Sequence, residues 1–238
     1  MRLRVTRAKA SARAAVLTLT VLLAAAACTG PDGPVESVAG ASRPSAAQAA
    51  LERAALAAGD VPGYQVSGDP APDDTRGTPR ADRDACAPLA EVMGERPDDR
   101  ARATVSRGLG SHDTPGLAVS ASLSDYAAPD ARDLLARLRT AVTRCGAGFG
   151  TVLDGHAAAY RNVRSLPYAV AGEESVSWTA SVLGQGESAP VHIVVVRRGA
   201  TVVRFMAIDL SERAPSTVTV PHEVADAQLT KLSRTPPG

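Results

Sequence analysis

Two apolar, strand-like segments near the C-terminus are separated by four residues, and this short connection constrains the fold more than any other feature. Residues 191–196 are almost all apolar, residues 201–208 form a second run, and Arg197-Arg198-Gly199-Ala200 joins them. A parallel crossover needs a dozen or more residues, so the pattern predicts a β-hairpin. The uninterrupted apolar character of residues 191–196 indicates a strand at the centre of the sheet.

Two further segments alternate between apolar and polar residues, as half-buried strands do. In residues 117–124, Leu117, Val119, Ala121 and Leu123 share one face. Residues 175–183 place Val176, Trp178, Ala180 and Val182 on their inward face.

Four segments have helical signals. Ser45 is a candidate N-cap for a helix over residues 45–58, and a short helix is predicted around residues 87–93. A third helix starts at Pro129 and carries Cys145 on its apolar face, and a fourth starts at Pro221. Helices interspersed with closely linked strands predict an α+β fold: a single domain, residues 45–238, with a twisted, mainly antiparallel sheet flanked by helices.

The N-terminus has the layout of an export signal. Five basic residues and no acidic residue precede an apolar run of 14 residues from Ala14 to Ala27, which is too short for a permanent span of about 20 residues. We therefore predict a signal peptide over residues 1–27. The run ends in Ala25-Ala26-Ala27-Cys28, which resembles a bacterial lipobox, so Cys28 is predicted to carry the lipid. The alternative is ordinary cleavage after Ala27, which leaves a free thiol.

Lipid on Cys28 would make the membrane a partner and hold the domain on its extracytoplasmic face. Residues 28–44, rich in Gly, Pro and small polar residues, are predicted to form a flexible tether. Removal of residues 1–27 takes five of the 26 basic residues and none of the 25 acidic ones, which leaves a formal charge of about −4. This charge argues against nucleic acid as a partner. Only two lysines, with abundant Ala, Gly and Pro, indicate an actinobacterial source.

Cys86 and Cys145 remain as an even pair in an exported chain. We predict one disulfide between them, because the compartment permits it and because Cys145 lies on a buried helix face. Closure of a loop of about 60 residues would contribute roughly 4 kcal/mol. Two separate buried thiols are the alternative.

Several polar groups have residue types that occur in catalytic or metal sites. Ser111-His112-Asp113 has the residue types of a hydrolytic triad, but no Gly-x-Ser-x-Gly motif is present and a polar turn is favoured. Asp154 and His156 lack a further ligand at metal-binding spacing. No metal or cofactor is therefore predicted.

Glycines and acidic residues also receive structural interpretations. Gly146, Gly148 and Gly150 follow a helix, which favours a helix stop over a phosphate loop. For Glu173-Glu174 a solvated turn is favoured over paired catalytic acids.

The alternating strands leave a hydroxyl-bearing face that is harder to interpret. A solvent-exposed face is favoured, but incomplete cover by helices would turn it into a polar groove. Its residues are Ser175, Ser177, Thr179 and Ser181, with Ser120 and Ser122 on another strand. No ligand-binding residues are assigned. Trp178 is expected in the core.

From about Leu51 onward the chain resembles the extracellular sensor domain of the PknH-like family of actinobacterial receptor kinases and lipoproteins. The resemblance is carried by Cys86, the helix ending in Cys145, the strand around Trp178, the strand pair with Arg198-Gly199, and the helix after Pro221. It implies a sheet flanked by helices and a ligand-binding cleft without established catalysis. Family members typically hold two disulfides, whereas this domain can form only one.

Together these features predict a lipid-anchored extracytoplasmic binding or sensor lipoprotein that is not an enzyme. Its expected ligand is an unknown small molecule or envelope component. The alternative is a carrier of lipid or glycolipid, which would need a deep apolar pocket. A cell-wall hydrolase is a third hypothesis and would require a catalytic cluster.

Overall fold

The computed structural model describes residues 44–68, 78–94, 99–184, 187–211 and 217–235. The helices are α1 (Ala46–Ala54), α2 (Ala87–Met93), α3 (Ala128–Arg144) and α4 (His222–Arg234). The strands are β1 (Tyr64–Gly68), β2 (Arg80–Ala81), β3 (Ala103–Ser111), β4 (Leu117–Asp125), β5 (Phe149–Leu153), β6 (His156–Ser165), β7 (Glu174–Gly184), β8 (Glu187–Arg198) and β9 (Thr201–Asp209).

The strands form one sheet in the order β1-β3-β4-β9-β8-β7-β6-β5-β2, and every neighbouring pair is antiparallel. The predicted α+β class is confirmed. The hairpin of β8 and β9 lies near the centre of the sheet, and Arg198 pairs with Thr201 across a two-residue turn. Gly199 in this turn has a φ of 61°, which glycine adopts without strain.

Helices cover both faces of the sheet. On the first face, α1 and α4 pack against Val194, Phe205 and their neighbours, and on the second, α2 and α3 pack against Trp178 and Ile193. Successive residues of β8 therefore enter two different cores, which explains why this strand is apolar throughout. We call the two sides the α1/α4 layer and the α2/α3 layer.

The α2/α3 layer contains the predicted disulfide. Helix α2 begins directly after Cys86, and α3 ends directly before Cys145. The two sulfurs are bonded at 2.04 Å, and neither cysteine is exposed to solvent. The bond therefore joins the start of one helix to the end of the other beneath the surface.

Helix α1 is shorter than the sequence predicts. Ser45 is the N-cap, since its Oγ accepts from the backbone N–H of Gln48 at 3.0 Å. The helix ends at Ala54 rather than residue 58, because the side chain of Gln228 on α4 donates to the Ala54 carbonyl at 2.8 Å and accepts from the Leu56 N–H at 3.1 Å. Tertiary hydrogen bonds here replace those that would continue the helix.

The sequence does not predict strands β1, β2, β3, β5 and β6. The pattern of β3 is interrupted by Gly108 and Gly110 and by Arg107, whose side chain is only 16% exposed. That arginine lies beneath α1 and donates to the Leu56 carbonyl at 3.0 Å. A cation used as a packing residue hides the alternation that would mark a strand.

The prediction that β4 is half-buried is wrong. Ser122 and Ser124, on its polar face, are each only 6% exposed. The reason is Arg204 on β9, which crosses this face and donates to Ser122 Oγ at 2.7 Å and to the carbonyls of Val92 and Gly94 at the end of α2. The guanidinium thus caps α2 and covers the serines.

The predicted signal peptide, Cys28 and all of the predicted tether except Pro44 lie outside the described residues. Within the part of the chain that the structure describes, no helix is long and apolar enough to cross a membrane.

Candidate ligand-binding grooves

The Ser111-His112-Asp113 sequence forms the turn between β3 and β4. Ser111 Oγ accepts from the Thr114 N–H at 3.1 Å, and the His112 N–H donates to the Gly63 carbonyl at 2.9 Å. Nearby, the hydroxyl of Tyr64 donates to Glu223 at 3.0 Å, and burial, followed by that carboxylate, raises the pKa of Tyr64 to about 12. These hydrogen bonds hold a turn, in which Ser111 Oγ accepts from a backbone N–H.

Asp154 also serves a turn. Asp154 and Gly155 occupy the two-residue connection between β5 and β6, with φ values of 49° and 80°. Asp-Gly is a preferred pair for such a turn. His156 is exposed at the start of β6. The described residues contain no group of three or more His, Cys, Asp or Glu side chains that could hold a metal ion.

The glycines after α3 allow close packing rather than phosphate binding. The Gly148 N–H donates to the Cys145 carbonyl at 2.8 Å, and its φ is 109°. A β-carbon at this position would lie 2.2 Å from the carbonyl oxygen of Tyr160. Only glycine therefore lets the chain leave the disulfide and turn into β5.

Glu173 is exposed in the bend before β7, as the predicted solvated turn requires, whereas Glu174 is half-buried at the start of β7. Both carboxylates bind Arg197, at 2.6 and 2.8 Å, and the side chain of that arginine is only 8% exposed. The Gly199 N–H and then Arg197 lower the pKa of Glu173. Arg139 on α3, followed by Arg197, lowers the pKa of Glu174. The two acids stay charged and fix the β8–β9 turn.

The hydroxyl-bearing residues lie on opposite faces of the sheet, so they do not form one groove. Ser177 opposes Val194 on the α1/α4 side, whereas Ser122 opposes Arg204 on the α2/α3 side. The sequence could not reveal this separation, because it depends on strand order and register. Trp178 is buried in the α2/α3 layer as expected, and its indole N–H has no partner among the described residues.

One serine and one histidine do meet, and sequence reasoning missed the pair. Ser177 Oγ lies 2.8 Å from Nε2 of His192. The backbone N–H of Val220 lies 2.8 Å from Nδ1 of the same ring. No motif joins these residues, because β7 and β8 bring together positions 15 residues apart and a loop supplies the third.

The hydrogen bonds of His192 determine its tautomer. A backbone N–H can only donate, so Nδ1 must accept and the ring proton must lie on Nε2, where it donates to Ser177. In a hydrolytic triad the serine instead donates to an unprotonated Nε2. Burial, followed by the nearby His222, lowers the pKa of His192 to about 4, which keeps the ring neutral. His192 is thus a structural hydrogen-bonding residue and cannot activate Ser177.

An aromatic stack closes this pair from solvent. The ring centroid of Tyr168 lies 5.4 Å from that of His192 and 4.3 Å from that of His222, with which it stacks in parallel. Its hydroxyl donates to the Val220 carbonyl at 3.1 Å. His192 has no solvent exposure, and Ser177 is 8% exposed.

Two openings lie in the α2/α3 layer. The first is a narrow apolar groove with a cavity volume of about 30 Å³, bordered by Val92, Tyr126, Leu134 and Val202. The buried side chain of Arg204 lies in its wall. A cation that already caps a helix leaves little room for a long apolar ligand.

The second opening, the polar groove, lies between α2, α3, β2 and β5 and has about 2040 Å³ of space, part of it open to solvent. Asp133 holds two arginines at its edge: it accepts from Arg100 at 2.8 Å and from Arg137 at 3.1 Å. Arg80 and Asp84 are exposed and have no ion-pair partner among the described residues. The groove thus offers oriented hydrogen-bond donors and acceptors, and the Cys86–Cys145 bond links α2 and α3, the helices that border it.

No protein-family model matches the chain, and no curated protein does. Among solved structures, the chain is similar to the extracellular domain of PknH from Mycobacterium tuberculosis, with 11% identity and a TM-score of 0.42 over 72% of this chain and 81% of that one. It is also similar to an uncharacterised protein from Mycobacterium smegmatis, the Rv0999 ortholog, with 11% identity and a TM-score of 0.40 over 78% of this chain and 95% of that one.

The first of these proteins belongs to the group that the sequence resembles. Similarity at this level assigns no residue role and no activity to the present chain.

Proposed function

We propose that this protein is a lipid-anchored extracytoplasmic domain that binds a polar ligand in the polar groove and does not catalyse a reaction. The observation that carries the binding role is the groove itself, with Arg80 and Asp84 exposed and Arg100 and Arg137 oriented by Asp133. Charged groups of this kind form the stronger hydrogen bonds to a polar ligand. A fragment of an envelope glycan or peptide has the matching chemistry.

The extracytoplasmic location is supported by the buried Cys86–Cys145 bond, since such bonds persist in oxidising compartments. Anchoring is supported by the small-residue run before Cys28. It is tested by metabolic lipid labelling of the protein in a producing cell. We expect label in the native chain and none in Cys28→Ala, and label retained in the variant would contradict the anchor.

The absence of catalysis is supported by the inactive tautomer of His192 and by the turn role of Ser111 and Asp154. The test incubates pure protein with model esters, peptides and glycan fragments and measures turnover. We expect none above background. Turnover that disappears in Ser177→Ala, His112→Ala or His156→Ala would overturn this part of the proposal.

Ligand binding is tested by calorimetric titration of the folded protein with envelope glycan and peptide fragments. We expect Asp84→Ala and Arg80→Ala to weaken binding about tenfold each, as for a lost hydrogen bond to a charged group. The matched control is Asp226→Ala, an exposed aspartate on α4 in the other helix layer. Equal loss in the control, or no loss in either groove variant, would rule out this groove.

The alternative function is a carrier of lipid or glycolipid. The observation in its favour is the apolar groove beside Leu134 and Val202. Its cavity volume of only about 30 Å³ and the arginine in its wall make it the weaker candidate. Lipid identified by mass spectrometry in protein purified from native membranes would favour the carrier.

A further inference from the structure

A third groove lies at the end of the domain where the described chain begins. It has about 1280 Å³ of space between the start of α1, the end of α4 and the β8–β9 turn. Its walls combine apolar side chains with charged ones: Ala46, Ala50, Leu51, Leu232, Arg102 and Arg198. We call it the chain-entry groove.

The number of residues between this groove and the predicted anchor limits the distance between them. Pro44 is the first described residue, and Ala46 already lines the groove. Fifteen residues separate Cys28 from Pro44, and a chain of that length reaches at most about 55 Å when fully extended. A lipid on Cys28 would therefore hold the domain within that distance of the bilayer by the end at which this groove lies.

The charge of the groove suits an anionic surface. Asp125 is the only acidic residue that lines it within the described chain, and its carboxylate is paired with Arg102 at 2.8 Å. Glu173 accepts from the N–H of the lining residue Gly199, and its charge is balanced by Arg197 at 2.6 Å. Arg198 is exposed on the β8–β9 turn. Arg53 and Arg234 are exposed on the helix turns that carry lining residues. Arginine can bind a phosphate group through two parallel N–H donors, whereas lysine acts as a point charge. Arginine side chains are therefore well suited to phosphate groups.

We propose that the chain-entry groove is the surface with which the domain contacts the membrane, and that its arginines bind the phosphate groups of anionic phospholipids. The tether length rests on the proposed lipid at Cys28, whereas the charge and shape of the groove do not. Each arginine near an anionic surface strengthens binding about fivefold. A short tether supplies an effective concentration in the millimolar range, so weak contacts suffice to orient the domain on the bilayer.

The orientation has a consequence for the proposed ligand site. The polar groove is bordered by β2 and β5 at the far edge of the sheet from β1 and by α2 and α3, and it shares no lining residue with the chain-entry groove. Contact through the chain-entry groove would therefore leave the polar groove open to envelope ligands.

The test uses the chain from residue 28 with Cys28→Ala, so that no lipid contributes. Sedimentation with vesicles of phosphatidylcholine alone and with added phosphatidylglycerol measures binding at low and physiological salt. We expect binding only to the anionic vesicles, weakened by salt. In the same background Arg198→Gln and Arg234→Gln should each weaken it about fivefold, and Arg161→Gln, an exposed arginine on β6, should leave it unchanged.

Three outcomes would overturn the proposal: equal binding to neutral vesicles, no effect of Arg198→Gln and Arg234→Gln, or complete competition by millimolar glycerol phosphate, which would indicate a site for free phosphate. A dimer whose dissociation is promoted by Arg198→Glu would show that a second copy occupies the groove and would also overturn it. The lipid-labelling experiment is independent, because failure of the anchor leaves vesicle binding of the unacylated chain unchanged.

Discussion

The two helix layers are attached to the same sheet by different means. In the α2/α3 layer a covalent bond between Cys86 and Cys145 joins the two helices. In the α1/α4 layer the attachment depends on neutral polar side chains without solvent exposure: Gln228 joins α4 to the end of α1, and His192 holds the chain before α4 through Val220. One layer is thus joined by a covalent bond and the other by hydrogen bonds of a buried amide and a buried imidazole.

The disulfide and the buried hydrogen bonds act on different states of the chain. A disulfide stabilises mainly by restricting the unfolded chain. A buried hydrogen bond acts in the native state: its net contribution is only about 1 kcal/mol, but loss of one partner leaves a buried group unsatisfied at a cost of about 1–3 kcal/mol. The α1/α4 layer should therefore be the more sensitive to single side-chain changes and to pH.

The largest effect is expected from removal of the covalent link. Cys86→Ala/Cys145→Ala should lower the free energy of unfolding by about 2–5 kcal/mol, because the unfolded chain loses its cross-link. Urea denaturation measures this. The control is the native sequence with its disulfide reduced, which should unfold at a urea concentration similar to that of the double variant. A decrease in the free energy of unfolding below about 1 kcal/mol would show that the disulfide adds little to this layer.

The second largest effect is expected from loss of the Gln228 amide in the α1/α4 layer. Gln228→Leu keeps the bulk but leaves the Ala54 carbonyl and the Leu56 N–H without partners, so the free energy of unfolding should fall by about 2–4 kcal/mol. Amide hydrogen exchange at Leu56 should accelerate as well. Gln48→Leu is the matched control, since the side chain of this half-buried residue makes one hydrogen bond, to the Thr104 carbonyl, and its loss should cost about 1 kcal/mol or less. Similar losses in both variants would contradict the role of Gln228.

The imidazole should make the α1/α4 layer sensitive to pH. The pKa of His192 is lowered from 6.5 to about 4 in the native state, so between these values the unfolded chain binds more protons than the folded one. Stability should therefore rise with pH in this window and fall on acidification, by up to about 3 kcal/mol at pH 4.

Thermal denaturation between pH 4 and 8 measures this dependence. In His192→Gln the slope between pH 4 and 6.5 should flatten, although the variant is less stable throughout. The disulfide does not titrate, so Cys86→Ala/Cys145→Ala should keep the native slope. An unchanged slope in His192→Gln would assign the pH dependence to other groups; Glu173 and Glu174, whose pKa values are lowered, contribute below about pH 4.5.

The smallest effects concern the helix starts. Helix α1 has a side-chain cap at Ser45, whereas α3 starts after Ala127, which cannot cap it. Ser45→Ala should cost about 1 kcal/mol, and Ala127→Ser should add about 0.5–1 kcal/mol, because the backbone at Ala127 already has the extended conformation of an N-cap. Chemical denaturation of the two single variants measures both. A gain in Ser45→Ala or a loss in Ala127→Ser would contradict the assignment of caps.

Several features of the fold could be predicted from local signals. The four-residue link before β9 predicts an antiparallel hairpin, and the start of α2 after Cys86 follows from residue types within a few positions. The strands around Arg107 could not be predicted, since a buried arginine beneath α1 interrupts the apolar pattern. Strand propensity and apolar periodicity depend on the residues of one segment. They do not reveal that a charged side chain of that segment packs against another element, as Arg107 does beneath α1.

The candidate sites likewise include some that local signals predict and some that depend on the tertiary structure. The turn roles of Ser111 and Asp154 can be read from neighbouring residues. The pair of Ser177 and His192 and the polar groove depend on strand register and on helices packed across the sheet, and no spacing in the chain signals them.

By itself the sequence determined the antiparallel arrangement, the helix starts, the partner of Cys86 and the prediction of an anchor at Cys28. Only the tertiary structure decided that the hydroxyl-bearing strands face opposite ways, that Gln228 ends α1 from 174 residues away, and that His192 is held in an inactive tautomer. The physical reason is that local signals fix backbone conformation and burial within one segment. A hydrogen bond between distant side chains depends on the register that brings them within 3 Å.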